Sequence, residues 1–218
     1  MSRYNLHKDA DLNELVDIIS SGIASLTNPA KLSRTFKSVK GSAISEQTIR
    51  VYLSYLEDAF IMKRALRYDV RGRKYIMTPF KIYFEDTGLR NARLFFRQLE
   101  PMYLMENIIF NELRIRGFSV DVGVVSVRET DAEGKELKKQ LEIDFVANTG
   151  SQRFYIQSAW MIPDEDKKAQ ELRPFDLTRD SFKKILISGT ELKPRHNEKG
   201  YVVMGVTDFL LDENSLNW

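Results

Sequence analysis

The chain has 218 residues, of which 43% are hydrophobic and 29% charged, a balance typical of a globular protein with one large domain or two small ones. A formal net charge of +2 gives no overall attraction to nucleic acid, and the lack of cysteine excludes disulfides, thiolate metal sites and cysteine nucleophiles. No apolar run reaches the roughly 18 residues that span a bilayer, and the N-terminus lacks a signal-peptide core. We therefore expect a cytoplasmic protein that does not enter a membrane.

The first part of the chain predicts three helices and a hairpin. Apolar residues recur at helical spacing in three segments, and Ser45 is a suitable N-cap for the third, Glu46 to Ala59. Strand-like residues then flank a hairpin tip at Arg71-Gly72-Arg73. Three short helices followed by a hairpin is the order of a winged helix-turn-helix, which we predict over residues 1–78.

Basic residues in this part are candidate nucleic-acid contacts. The third helix sits in the recognition position, but its acids Glu46, Glu57 and Asp58 would repel phosphate. The hairpin carries a denser basic cluster, which either contacts phosphates or forms a solvated surface. The candidate contacts are Arg50, Arg67, Arg71, Arg73 and Lys74.

Beyond Thr78-Pro79 the pattern changes to an α/β arrangement over residues 79–218. A short strand that ends in a turn, from Lys81 to Gly88, and a helix around Arg93 to Gln98 precede a longer helix that Pro101 can start. Further strands and one charged helix follow, namely Phe118 to Val127, Gln140 to Ala147, Arg153 to Trp160, the helix Asp164 to Phe175, Lys184 to Ile187 and Gly200 to Met204. This order predicts a mixed sheet flanked by helices.

The segment Leu141 to Val146 carries the clearest candidate chemistry. Because side chains alternate along a strand, Glu142 and Asp144 are expected on one face, where two carboxylates can hold a magnesium ion. The alternative is an amphipathic strand with a solvated acidic face. Glu106 is a lone acid in an apolar stretch of the preceding helix and is a third candidate.

The next strand completes a pattern that resembles the restriction-endonuclease-like, PD-(D/E)XK, nucleases. In those enzymes a helix acid and a strand acid are followed by a second acid and, two residues on, a lysine that helps to activate water. Gln157 and Ala159 occupy the last two places here. Glutamine is a weaker metal ligand than carboxylate and alanine cannot orient water, so we expect no phosphodiester cleavage. Lys183 or Lys184 is the alternative source of a lysine.

The chain as a whole resembles the C-terminal module, of unknown function, that follows the ATPase domain in a family of prokaryotic AAA-type ATP-binding proteins. The resemblance implies an ATPase domain elsewhere in the full-length protein. This chain has no Walker A loop, since Gly134-Lys135 is followed by Glu136, and we expect that it does not bind ATP. The stretches that carry the resemblance are 45–60, 81–91, 106–113, 142–146 and 155–157.

These observations predict an α+β or α/β protein in which a winged helix-turn-helix precedes a restriction-endonuclease-like domain. The expected function is that of a non-catalytic accessory module that binds DNA or a protein partner for the ATPase. One alternative is a magnesium-dependent DNA nuclease that uses Glu106, Glu142 and Asp144. The other is an assembly surface, either for self-association into a homo-oligomer or for a partner.

Overall fold

The computed structural model describes residues 9–130, 134–190 and 192–218, which form a mixed α+β protein. The α-helices are α1 Asp9–Ser21, α2 Pro29–Lys40, α3 Glu46–Asp58, α4 Thr87–Arg93, α5 Pro101–Ile115, α6 Glu165–Asp176 and α7 Val206–Leu211. The β-strands are β1 Met62–Asp69, β2 Lys74–Phe84, β3 Ser119–Thr130, β4 Glu136–Thr149, β5 Gln152–Ala159, β6 Lys183–Ser188, β7 Arg195–His196 and β8 Val202–Gly205. Within these ranges, no helix is both long enough and apolar enough to cross a membrane.

The chain divides into two compact units, each made of two segments. Unit 1 comprises Met1–Ala65 and Thr78–Asn107, and unit 2 comprises Leu66–Met77 and Ile108–Trp218. As a result β1, β2 and α5 each contain residues of both units. The sequence predicts two domains with one boundary between them, at residues 78 and 79. This division remains a prediction.

The first three helices of unit 1 form where local sequence rules place them. Asn28 caps α2 by accepting the amide of Lys31 at 2.8 Å, with Pro29 at the first helical position. Ser45 caps α3 by accepting the amide of Thr48 at 3.0 Å. The apolar stripe of α3 is buried as its helical spacing predicts, at Ile49, Tyr52, Leu53 and Leu56.

The bounds of two elements around residues 81–98 were predicted incorrectly. The strand at Lys81 is the second half of β2, which includes Pro79. Proline is tolerated there because β2 lies at an edge of the sheet. The helix near Arg93 begins earlier, because Asp86 accepts the amides of Gly88 and Leu89 at 2.6 and 3.2 Å and so caps α4.

The strands form one mixed sheet in the order β2-β1-β3-β4-β5-β6-β8-β7. The pairing of β1 with β3 is parallel. β4 pairs with β3 on one side and with β5 on the other, and both pairings are antiparallel. β6 pairs with β5 and with β8, and both pairings are parallel. The predicted mixed sheet is therefore confirmed. The hairpin strands β1 and β2 belong to this sheet, and a winged helix-turn-helix remains a proposal.

A register shift interrupts the pairing of β3 with β4 inside unit 2. Asp121 pairs with Val146 whereas Gly123 pairs with Ile143, so β4 carries an extra residue at this point. A Cβ on Gly123 would lie 2.8 Å from both Ile143 Cβ and Val146 Cγ2, and only glycine fits opposite the bulge. The side chains of β4 therefore do not alternate regularly between the two faces of the sheet at Asp144.

Candidate nucleic-acid interface

The carboxylate of Asp144 connects two strands of unit 2. Asp144 is 7% exposed, and its Oδ2 accepts the backbone amide of Ser158 at 2.8 Å. The side-chain amide of Gln157 joins the same network, because its Oε1 accepts the amide of Asp144 at 3.3 Å and its Nε2 donates to Glu171 at 3.3 Å. Glu142 is half-buried on β4 opposite Val124. Its placement on one face with Asp144 stays a prediction, because that expectation rested on the alternation that the bulge interrupts.

The position that the nuclease pattern reserves for lysine is part of the hydrophobic core. Ala159 is 6% exposed and belongs to the buried cluster that contains Tyr155 and Leu172. The two alternative lysines already bind oxygen atoms of the protein. Lys184 Nζ donates to the carbonyls of Asp180 and Phe182, both at 3.0 Å, and Lys183 Nζ donates to backbone oxygens near the C-terminus. In the part of the chain that the structure describes, no three His, Asp or Glu side chains are grouped closely enough to hold a metal.

The third candidate acid, Glu106, belongs to unit 1, whereas Glu142, Asp144 and Gln157 belong to unit 2. Its Oε1 lies 2.8 Å from the ammonium of Lys81 and accepts the hydroxyl of Tyr83 at 2.6 Å. All three residues are buried. Nothing in the sequence pattern singled out Lys81, because a lysine inside a strand is most simply a surface residue.

The five predicted nucleic-acid contacts fall in different environments. Arg50 is exposed on α3 and lies 3.8 Å from Glu46, while Lys74 is exposed at the start of β2. Arg67 is only 8% exposed and donates to Gln140 Oε1 at 2.7 Å, and its Nε has no partner among the described residues. Arg71 and Arg73 are exposed and line the same cavity of unit 2.

This cavity, which we call the arginine cleft, has a volume of about 580 Å³. The turn between β1 and β2, the turn between β4 and β5, and the loop between α6 and β6 supply its wall. The charged residues of the wall are Arg71, Arg73, Arg153, Arg179 and Asp180. Within the described part of the chain, four arginines therefore face a single acid, which makes the cleft suited to an anion.

Two of the four arginines are held by the protein. The guanidinium of Arg153 lies between the rings of Tyr68 and Phe182, 5.1 and 5.2 Å from their centroids, and its Nε donates to Asn148 Oδ1 at 2.7 Å. Arg71 Nη1 donates to the carbonyl of Ser126 at 2.9 Å. Arg71 keeps further N–H groups for a ligand, because a guanidinium has five donors, whereas Arg153 also hydrogen-bonds to the side chains of Tyr155 and Tyr68.

The other two arginines share an unusual backbone conformation. Arg73 and Arg179 have φ angles of 51° and 61°, in the left-handed region that costs a bulky residue about 1–2 kcal/mol. Both are exposed, and neither side chain has a hydrogen-bond or ion-pair partner among the residues that the structure describes. Strained backbone of this kind is common in ligand-binding loops.

The single acid of the cleft is already neutralised. Asp180 accepts the hydroxyl of Tyr155 at 2.7 Å, and its Oδ1 lies 3.6 Å from Lys184 Nζ. Burial and the hydrogen bond to Asp180 both raise the pKa of Tyr155, so its hydroxyl stays protonated and keeps donating. The cleft therefore keeps its positive charge at neutral pH.

Arg153 and Arg179 were not found from sequence. Each is an isolated arginine in its segment, far along the chain from the basic hairpin at Arg71. No local pattern marks either one, and only the pairing of strands brings them to the same cavity.

Comparison with known proteins gives similarity without an assigned activity. Residues 1–100 match the family model of a domain of unknown function (DUF8612). An uncharacterized protein of Haemophilus influenzae is 33% identical over 200 residues, which cover 92% of this chain and 46% of that protein. The uncharacterized protein MJ1544 of Methanocaldococcus jannaschii is 23% identical over 209 residues, which cover 95% of this chain and 43% of that protein. The chain thus spans less than half the length of these curated relatives.

Among solved structures, the chain is similar to the crystal structure of protein VC1899 from Vibrio cholerae. The TM-score is 0.36 and the sequence identity 16%, over 96% of this chain and 57% of that one.

Proposed function

We propose that the chain is a nucleic-acid-binding module of a larger ATPase, and that it binds without cutting. The observation that carries this proposal is the arginine cleft of unit 2, where Arg71, Arg73, Arg153 and Arg179 line one cavity. Guanidinium groups bind phosphate oxygens through paired N–H donors, a geometry that lysine cannot reproduce. The unpartnered side chains of Arg73 and Arg179 supply the free donors among the described residues.

The absence of cleavage is supported by the surroundings of Gln157 and Ala159. The amide of Gln157 is hydrogen-bonded to β4 and α6, and the methyl group of Ala159 packs in the core. Neither side chain can supply the negative ligand or the amine that the nuclease pattern assigns to these positions.

The link to an ATPase is supported by the family resemblance and by length. The curated relatives are more than twice as long as the aligned part, because the alignments cover 46% and 43% of them. That leaves room for a further domain in those proteins, and an ATPase is the one that the resemblance implies.

Binding of labelled DNA, followed by fluorescence anisotropy in EDTA at several salt concentrations, tests the proposal. Wild type is expected to bind more weakly as salt increases, since the contacts are to phosphates. The double variant Arg73→Gln/Arg179→Gln removes two such contacts, so the slope of log K against log salt should become shallower by about 1.4 to 1.8.

Two further arginine substitutions control for total charge and for the other candidate surface. Arg195→Gln changes an exposed arginine of unit 2 outside the arginine cleft and should leave binding within about twofold of wild type. Arg50→Gln tests the third helix. If wild type shows no salt-dependent binding, or if Arg50→Gln weakens it while the double variant does not, the assignment to the cleft is wrong.

A metal-dependent nuclease is the second candidate, favoured by the buried carboxylate of Asp144 beside the Gln157 amide. A metal ion that binds the native state must raise its thermal stability. For this candidate, manganese or magnesium should raise the Tm of wild type, and Asp144→Asn, which preserves side-chain shape, should abolish the shift. Equal Tm values with and without metal in wild type would exclude the candidate.

A further inference from the structure

A second cavity of unit 2 lies next to the arginine cleft. This second cavity, which we call the Lys138 cavity, has a volume of about 560 Å³ and is lined by Arg128, Lys138 and Leu177 among others. Arg71 and Arg179 line both cavities. The two cavities are therefore neighbours, with these two arginines between them.

Basic side chains line both cavities. Lys138 is exposed and has no ion-pair or hydrogen-bond partner among the described residues, while Arg128 makes only a long, exposed ion pair to Glu136 at 3.5 Å. Among the residues that the structure describes, Asp69 is the acid of the Lys138 cavity, and it accepts the amide of Gly72 at 2.8 Å. Among the described residues, the track from Arg153 to Lys138 thus carries six basic side chains against two acids, a positive balance that suits a phosphate backbone.

The size of each cavity limits what can enter it. Pockets of about 300–1,000 Å³ enclose small-molecule ligands, and both cavities fall in this range. A double helix is too wide to enter such a pocket, whereas a single strand can pass from one cavity to the next.

Aromatic rings lie at one end of the track. Phe182 is 38% exposed, and with Tyr68 it flanks the guanidinium of Arg153. Single-strand binding sites combine a basic groove with aromatic and guanidinium planes on which bases stack. This end of the track therefore has the chemistry to hold an unpaired base.

From these observations we infer that the ligand of unit 2 is a single-stranded nucleic acid, which runs through both cavities with its phosphates on Arg71 and Arg179. The inference rests on the proposed nucleic-acid-binding function and specifies its substrate class. Bases near Arg153 stack on the exposed face of Phe182.

The first experiment compares a labelled single strand with a duplex of the same sequence, using the full chain in EDTA. The single strand is expected to bind at least tenfold more tightly. In a series of oligonucleotides from two to about eight nucleotides, affinity should rise and then level off once both cavities are filled. A mononucleotide such as dAMP should compete poorly. This series needs no variant, so it stays informative whatever a substitution does to folding.

The second experiment uses the variants Phe182→Leu and Arg179→Gln. Phe182→Leu should weaken single-strand binding at least fivefold while leaving any duplex binding unchanged, and Arg179→Gln should weaken it more than Lys138→Gln, which alters one cavity only. Duplex binding as tight as single-strand binding, with Arg73→Gln/Arg179→Gln still weakening both, would overturn the single-strand inference and leave the proposed function intact. Absence of salt-dependent binding to any DNA would overturn both.

Discussion

Replacing Lys81 with methionine is expected to lower the free energy of unfolding by about 3–5 kcal/mol, the largest effect that we predict for a single substitution. Lys81 and Glu106 are both buried in unit 1, and their charged atoms are 2.8 Å apart. Methionine fills a similar volume but carries no charge, so the carboxylate of Glu106 stays buried without this ammonium. The hydroxyl of Tyr83, at 2.6 Å, cannot replace a positive charge.

Urea denaturation followed by far-UV circular dichroism measures this effect, since α1 to α4 lie wholly in unit 1. The double variant Lys81→Met/Glu106→Leu removes both charges and should recover much of the loss. Arg50→Met breaks the exposed pair with Glu46 and should change stability by less than about 1 kcal/mol. A loss for Lys81→Met no larger than that of Arg50→Met would show that the buried pair contributes no more than a surface pair.

Replacing Arg90 with methionine is the second large prediction, with an expected loss of about 2–5 kcal/mol. Arg90 is completely buried in unit 1, and its Nε donates to the carbonyl of Ser20 at 2.8 Å. Its Nη1 donates to the carbonyl of Gln98, and its Nη2 lies 3.1 Å from Glu100. One side chain therefore joins α1, α4 and the segment before α5, and methionine leaves two carbonyls without these donors.

Lysine at position 90 tests whether the shape of the guanidinium matters as well as its charge. Arg90→Lys keeps the charge but cannot reach all these partners with one ammonium, so it should recover only a minor part of the loss. Arg97→Met, in the same unit, is the matched control, because Arg97 is exposed and its described contact is to the ring of Phe95. The same urea denaturation, followed by far-UV circular dichroism, measures these variants. Tryptophan fluorescence follows unit 2 in the same titration, since Trp160 and Trp218 both lie there. A stability of Arg90→Met equal to that of Arg97→Met would contradict the role of Arg90.

Local sequence rules predicted those elements whose determinants lie within a few residues. α3 begins at the residue after Ser45 because that side chain caps it, and its apolar stripe is buried. The helix expected near Arg93 failed for a related reason, since Asp86 competes for the start and shifts the helix towards the N-terminus. The strand at Lys81 is present, but its start was misplaced because Pro79 was interpreted as a boundary, whereas an edge strand tolerates proline.

The candidate site shows the limit of the same rules. Arg71 and Arg73 were found because they form a local cluster, and both line the arginine cleft. Arg67 belongs to the same cluster but is buried, because β1 pairs with β3 and brings it to Gln140, 73 residues along the chain. Exposure of a basic residue on a strand thus depends on which strand lies beside it.

The sequence by itself determined helices α2 and α3 and the mixed α+β class, because these depend on residue identity and on spacing along the chain. Only the tertiary structure decided that Glu106 is neutralised by Lys81, that Arg153 and Arg179 join the hairpin arginines in one cavity, and that a bulge interrupts β4 before Val146. The physical reason is that burial, ion pairing and strand register arise from contacts between distant segments, which no short stretch of sequence specifies.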